Sequence, residues 1–95
     1  MSQLADRVHT DPTEIARLET LVTELPSEAR VALTLDDGRE LRGTVAVRPT
    51  VQLFRDYHGN EGNNALLRLD DIAHPAHAQY VWLDQVRKVM PLGTF

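Results

Sequence analysis

The stretch Val31-Ala32-Leu33-Thr34-Leu35-Asp36-Asp37-Gly38-Arg39-Glu40-Leu41-Arg42-Gly43-Thr44-Val45 constrains the fold of this chain more than any other. Apolar residues alternate on both sides of Asp37-Gly38, the pattern of two strands joined by a tight turn whose glycine takes a positive φ without steric cost. Val31, Leu33 and Leu35 share one face, and Leu41, Gly43, Val45 and Val47 share a face of the next strand. Gly43 is the exception within that strand, because glycine loosens a strand and leaves nothing to pack. Its apolar neighbours nevertheless keep their phase through it. A strand with these properties is turning a corner, where a side chain would clash inside the bend. A small sheet must also hide its edges, and closing into a barrel is the usual way. The hairpin therefore predicts a small, sharply bent barrel.

The flanking segments fit that outline. Asp11-Pro12-Thr13-Glu14 is a helix start: Asp11 can cap, Pro12 suits the first helical position and Glu14 can complete a capping box. Ile15, Leu18, Leu21, Val22 and Leu25 then follow helical spacing, and Pro26 stops the helix. Residues 51–57 read as a strand, 58–64 as a loop rich in Gly and Asn, and 65–69 as a strand. Residues 70–78 are polar and read as a connection. Two last strands, Tyr80 to Leu83 and Val86 to Met90, are separated by Asp84-Gln85. The expected fold is mainly β in a single domain over residues 1–95. It has an N-terminal α-helix at about 11–25, then five or six short strands forming a five-stranded, strongly bent antiparallel sheet. That sheet closes into a small barrel over about 29–92.

Composition narrows the function classes. The 95 residues contain no cysteine, which removes disulfides, thiolate chemistry and cysteine-ligated metal. No apolar run approaches membrane-spanning length and the first residues lack the pattern of a signal peptide, so a cytoplasmic protein without membrane association is expected. The net charge of −4 is unevenly placed. Residues 1–28 hold six acidic residues (Asp6, Asp11, Glu14, Glu19, Glu24, Glu28) and two basic ones (Arg7, Arg17), leaving the remainder neutral. Such a balance is a poor electrostatic lure for a phosphate backbone, although local arginine clusters can still form.

A helix followed by V-x-L-x-L-x-D-G-R-E-L-x-G-T-V resembles the opening of an Sm-like domain. Val31, Leu33, Leu35, Gly38, Leu41, Gly43 and Val45 stand at the hydrophobic and glycine positions of that family's first motif. The stretch from Val81 to Pro91 is similar in layout to the family's last two strands and their short link. The chain looks most like a small, uncharacterised bacterial family that is a variant of this fold. The resemblance implies a small β-barrel that assembles by joining strands four and five of adjacent subunits. RNA-binding members carry Asp and Asn between strands two and three, and an Arg-Gly or Lys-His type pair between strands four and five. In this chain a longer excursion beginning at Pro49 replaces the first, and Asp84-Gln85 replaces the second. The resemblance therefore carries the fold and not the family's uridine pocket.

The residues suggest three candidate sites. Asp70-Asp71-x-x-His74-x-x-His77 has metal-ligand residue types, but Pro75 lies between the histidines and the segment reads as a solvated connector, so no metal is assigned. Tyr57 and His58, with Arg42, Arg48, Arg55 and Arg68, could stack and pair with single-stranded RNA. Trp82, Val86, Lys88 and Met90 are the candidate oligomer interface, since tryptophan anchors interfaces and the strand can pair with another subunit. No nucleophile elbow or phosphate loop is present, so neither catalysis nor a cofactor is expected. The preferred reading is a non-enzymatic Sm-like binding protein that associates with itself, a dimer being favoured, and with RNA or another protein as further partners. The alternatives are a single-stranded RNA-binding protein with a non-standard site and, behind it, a metal-dependent hydrolase using His74 and His77.

Overall fold

The computed structural model, which describes residues 3–93, begins with a two-residue strand, β1 (Gln3–Leu4), and one helix, α1 (Pro12–Thr23). Asp11 caps the helix as its residue type predicts, its carboxylate accepting from the Thr13 N–H at 2.9 Å. The capping box does not form. Glu14 instead accepts two hydrogen bonds from Arg17, at 2.8 and 3.1 Å, because a guanidinium one turn away is a stronger donor than a backbone amide. Leu18, Leu21 and Val22 are buried along one stripe, followed by Leu25 just beyond the helix end.

Strands β2 (Arg30–Leu35) and β3 (Glu40–Val45) form the expected hairpin, with Leu33 opposite Leu41 and Gly38 at φ +89° in the turn. Val45 is fully buried, but Val47 is 63% exposed and does not share its face. The strand ends at Val45, and the chain leaves toward an inserted hairpin. That hairpin comprises β4 (Gln52–Arg55) and β5 (Glu61–Asn64), and it is followed by β6 (Leu66–Asp70), β7 (Ala78–Trp82), a 3-10 turn (Leu83–Gln85) and β8 (Val86–Pro91). Four of the seven residues in the expected 58–64 loop are therefore strand. Its polar residues are accommodated because Asn63 pairs through its backbone with His9, and the buried Asn64 side chain bonds the Arg7 carbonyl and the Ala65 amide.

Five strands make the main sheet in the order β7-β6-β3-β2-β8, all neighbours antiparallel. A close backbone approach falls at Gly43. A Cβ built at Gly43 would lie 2.8 Å from the Asp70 carbonyl oxygen, so at the end of the β3–β6 ladder the two backbones come too close to admit a side chain. Among the described residues the sheet does not close on itself by hydrogen bonds: β7 and β8 remain its two edges, joined through the 3-10 turn. The open end is filled instead by α1, whose Leu18, Leu21, Val22 and Leu25 share one core with Val31, Leu33, Val45, Leu67, Leu69, Leu83 and Val86. A second, three-stranded sheet, β1-β4-β5, was not foreseen. In it β1 runs parallel to β4, and the chain from β1 to α1 straps across β5. Gly62 makes room for the strap, since a Cβ there would lie 2.9 Å from the His9 carbonyl oxygen.

Candidate functional site

The structure divides the six residues considered for RNA between two sheets. Arg42 lies on β3 and Arg68 on β6, while Arg55 lies on β4, with Tyr57 and His58 in the turn that follows. Arg48 sits in the link after β3, where its N–H bonds the Ser27 hydroxyl. Three of the four arginines lie against carboxylates: Arg42 on Glu40 at 3.0 Å, Arg68 on Asp70 at 3.0 Å and Arg55 on Glu61 at 3.6 Å. Each pairing cancels a local positive charge that a phosphate would need. Tyr57 is 71% exposed, but the neighbouring turn is organised around Asp56. Partial burial works against ionisation of that carboxyl. Hydrogen bonds from the Asn60 N–H, the Asn60 side chain and the His58 N–H more than offset it and hold the carboxyl below its ordinary range.

The histidine cluster does not form a donor set. The His74 and His77 rings lie 5.6 Å apart in the 71–77 loop, and no group of three His, Asp or Glu side chains converges among the described residues. Asp71 accepts from the His74 and Ala73 amides, which lowers its pKa and commits it to the turn. Asp70 faces Arg68.

The candidate interface residues occupy the two edge strands, Trp82 on β7 and Val86, Lys88 and Met90 on β8. Trp82 is half-buried and meets the buried Phe54 of β4 edge to face, with ring centroids 5.2 Å apart. Val86 is fully buried, so its side chain belongs to the core rather than to a surface. Lys88 and Met90 are exposed on β8. Tyr80 on β7, at 64% exposure, was not among the candidates. Its alternation with the buried Val81 in an uncharged run could have identified it.

Between the edges, the 3-10 turn carries an arrangement that sequence reasoning missed. The Asp84 side chain is 3% exposed and its Oδ2 lies 2.9 Å from His9 Nε2 and 3.7 Å from Arg7 Nε, both on the N-terminal strap. Arg17 reaches the same turn from α1, donating to the Asp84 carbonyl at 2.9 Å and to the Val86 carbonyl at 2.8 Å. The carboxylate noted at this position thus meets an imidazole and a guanidinium of its own chain. The one available signal was an acid inside the apolar run from Tyr80 to Val86, which demands a donor if buried. A shallow cleft of about 260 Å³ beside the turn is lined by Arg7, Leu35, Asp36, Asp37 and Gln85. Ligand pockets usually span ~300–1,000 Å³ and are mostly apolar. The arrangement is that of a structural clasp.

Residues 2–92 match the model of a family described as a domain of unknown function, DUF3247. The chain belongs to this family. The DUF3247 chain is also similar to a solved structure, XC5848 from Xanthomonas campestris, described as adopting a novel variant of the Sm-like motif. The two are 41% identical, with 98% of this chain and 100% of the other covered, and a TM-score of 0.91. The Sm-like fold expected from the first hairpin is therefore present. No curated protein matches the DUF3247 chain in sequence. No helix among its described residues is long and apolar enough to cross a membrane.

Proposed function

We propose that this Sm-like domain is a non-enzymatic association module that assembles with copies of itself through its sheet edges. The observation that carries the reading is that the five-stranded sheet leaves both β7 and β8 paired on one side only. An unpaired edge is a template for another strand. The rest of the molecule supports association rather than catalysis. The buried polar or charged residues among those described are Asn64 and Asp84, and both hold the N-terminal strap. Trp82, Lys88 and Met90 are the side chains of the first-considered interface that an approaching subunit could reach, while Val86 contributes only backbone.

Single-stranded RNA has less support, because Arg42, Arg55 and Arg68 are each matched with a carboxylate. Light scattering at micromolar concentration is the test: an assembly of two or more chains is expected, and a monomer would remove the association reading. Oligo-uridine retention that falls steeply with salt would move the balance to RNA.

A further inference from the structure

Resting on that association reading, we infer that the edge used is β7 alone, pairing antiparallel with β7 of a second copy about a two-fold axis at Tyr80. In an antiparallel ladder, alternate residues turn their N–H and C=O groups to opposite sides. The β6–β7 ladder is bracketed by the Asp71 N–H bonded to the His77 carbonyl and the Leu83 N–H bonded to the Ala65 carbonyl, each at 2.9 Å. Residues 77, 79, 81 and 83 therefore face β6. Ala78, Tyr80 and Trp82 turn their backbone groups outward. The strand Ala78-Gln79-Tyr80-Val81-Trp82 carries no charge, no proline and no break in register with β6.

The β8 edge is different at every step. The Leu92 N–H bonds the Arg30 carbonyl at 2.9 Å, so Leu92, Met90 and Lys88 face β2, and the outward positions are Pro91, Val89 and the neighbourhood of Arg87. Pro91 has no N–H. Arg87 is the extra residue of a bulge, since Thr34 pairs with Lys88 while Leu35 pairs with Val86. The Val86 carbonyl is already taken by Arg17 at 2.8 Å. Proline, a bulge and adjacent cations are the devices that blunt an edge against pairing. Only Val89 keeps both backbone groups in regular outward geometry.

Two β7 edges are self-complementary. With Tyr80 opposite its copy, the two Tyr80 residues exchange both backbone bonds and Ala78 falls opposite Trp82, whose N–H meets the Ala78 carbonyl while its own carbonyl is shared with the 3-10 turn that it caps. The outer faces run on from one sheet to the next, which sets a small side chain across from a large one on each side of the Tyr80 pair. A β7 edge on a β8 edge would leave the Ala78 carbonyl facing Pro91, and would set Tyr80 beside Val89, which packs against the core. The isologous contact closes after two subunits, whereas alternating edges would continue into a ring.

The test compares the full chain with Tyr80→Pro and Val89→Pro in sedimentation equilibrium. Proline is tolerated where an edge N–H faces solvent, so both variants are expected to keep the fold. The wild type is expected at twice the chain mass of 10.7 kDa, Tyr80→Pro at that mass and Val89→Pro at twice it. Amide exchange on the wild type gives an independent reading that needs no variant: Tyr80 protected at high concentration and released on dilution, Val89 unchanged. A wild-type ring, or dissociation by Val89→Pro with Tyr80→Pro still assembled, overturns the β7 contact while leaving association standing. A wild-type monomer overturns both.

Discussion

Replacing Gly43 by alanine tests the mechanical basis of the fold, because two effects of opposite sign compete there. Gly43 is not among the glycines with positive φ, so alanine can adopt its backbone conformation. Removing glycine from the unfolded ensemble then favours folding by about 0.4–1 kcal/mol. Against this, the new Cβ would lie 2.8 Å from the Asp70 carbonyl oxygen and 3.1 Å from the Leu69 Cβ. The first is a backbone atom of a paired strand, Thr44 being opposite Asp70, so no rotamer change relieves it. The β6 backbone must move by roughly half an ångström, and forcing atoms into a packed site costs typically 1–3 kcal/mol. The clash wins. Gly43→Ala is expected to lose about 1–2 kcal/mol net, which for a domain of this size lowers Tm by roughly 5–15 °C in a thermal melt. Exchange at the amides near Asp70 should quicken in the same variant. A Tm equal to or above wild type would refute the reasoning, since it would mean that the β6 backbone does not lie this close to residue 43. Gly38→Ala is the contrast: nothing lies within 4 Å of its Cβ, but φ is +89°, so its cost is strain of about 1 kcal/mol without loosening of β6.

Three further outcomes are expected. Asp84→Ala removes the acceptor that His9 and Arg7 share in a buried position; it should lower the urea midpoint by the equivalent of about 1–3 kcal/mol, and an unchanged midpoint would dismiss the clasp. Asp11→Ala removes the helix cap and should cost about 1 kcal/mol, read as a lower thermal midpoint. The hydrogen bond from Arg17 holds the Glu14 carboxyl below its ordinary value of 4.5. A depressed folded-state pKa gives stability that is present above the unfolded value and lost as pH falls through the folded one. Glu14→Gln should therefore flatten the decline in stability below about pH 4.5, and an acid limb identical to wild type would contradict the pairing.

The parts of the fold that follow from local patterns were legible. The helix has its cap, stripe and stop in one continuous stretch. The first hairpin has alternation on both sides of Asp37-Gly38, and Gly43 marked a close backbone approach. The last two strands flank a link too short for anything but a tight turn. In each case the residues that specify the element are neighbours in sequence. The second sheet was illegible for the opposite reason. Its strand β5, Glu61–Asn64, is built from residues that read as loop; it pairs with β4 in a hairpin, and on its other edge Asn63 exchanges backbone hydrogen bonds with His9 across 54 positions. Nothing within the segment Glu61-Gly62-Asn63-Asn64 shows that the N-terminus will lie on it. Gly62 serves the same purpose as Gly43, admitting a closely approaching backbone, but in a Gly-Asn run that purpose is hidden by the residue's ordinary use in turns.

The candidate sites divide along the same line. Arginine and aromatic residues suggested a basic strip, yet a charge has meaning only with its partners. Glu40, Asp70 and Glu61 stand beside Arg42, Arg68 and Arg55 through strand geometry: two residues along one strand for the first two, across the β4–β5 pair for the third. The i, i+2 spacing of Glu40 with Arg42 and of Arg68 with Asp70 was readable once strands had been assigned, because such residues share a face. Asp84 shows the same rule at longer range. Read alone, it puts an anion where related folds place a cation. With His9 and Arg7 brought to it by the strap, the turn regains imidazole and guanidinium from the other end of the chain, already engaged on a buried carboxylate. The strap and the turn therefore stabilise each other, and removing residues 3–9 would take His9 and Arg7 from the Asp84 carboxylate, while the Arg17 guanidinium faces the turn's carbonyls and Glu14. The turn between the two edge strands is thus tied to the protein's own N-terminus, while the uncharged β7 is paired along one edge only among the described residues.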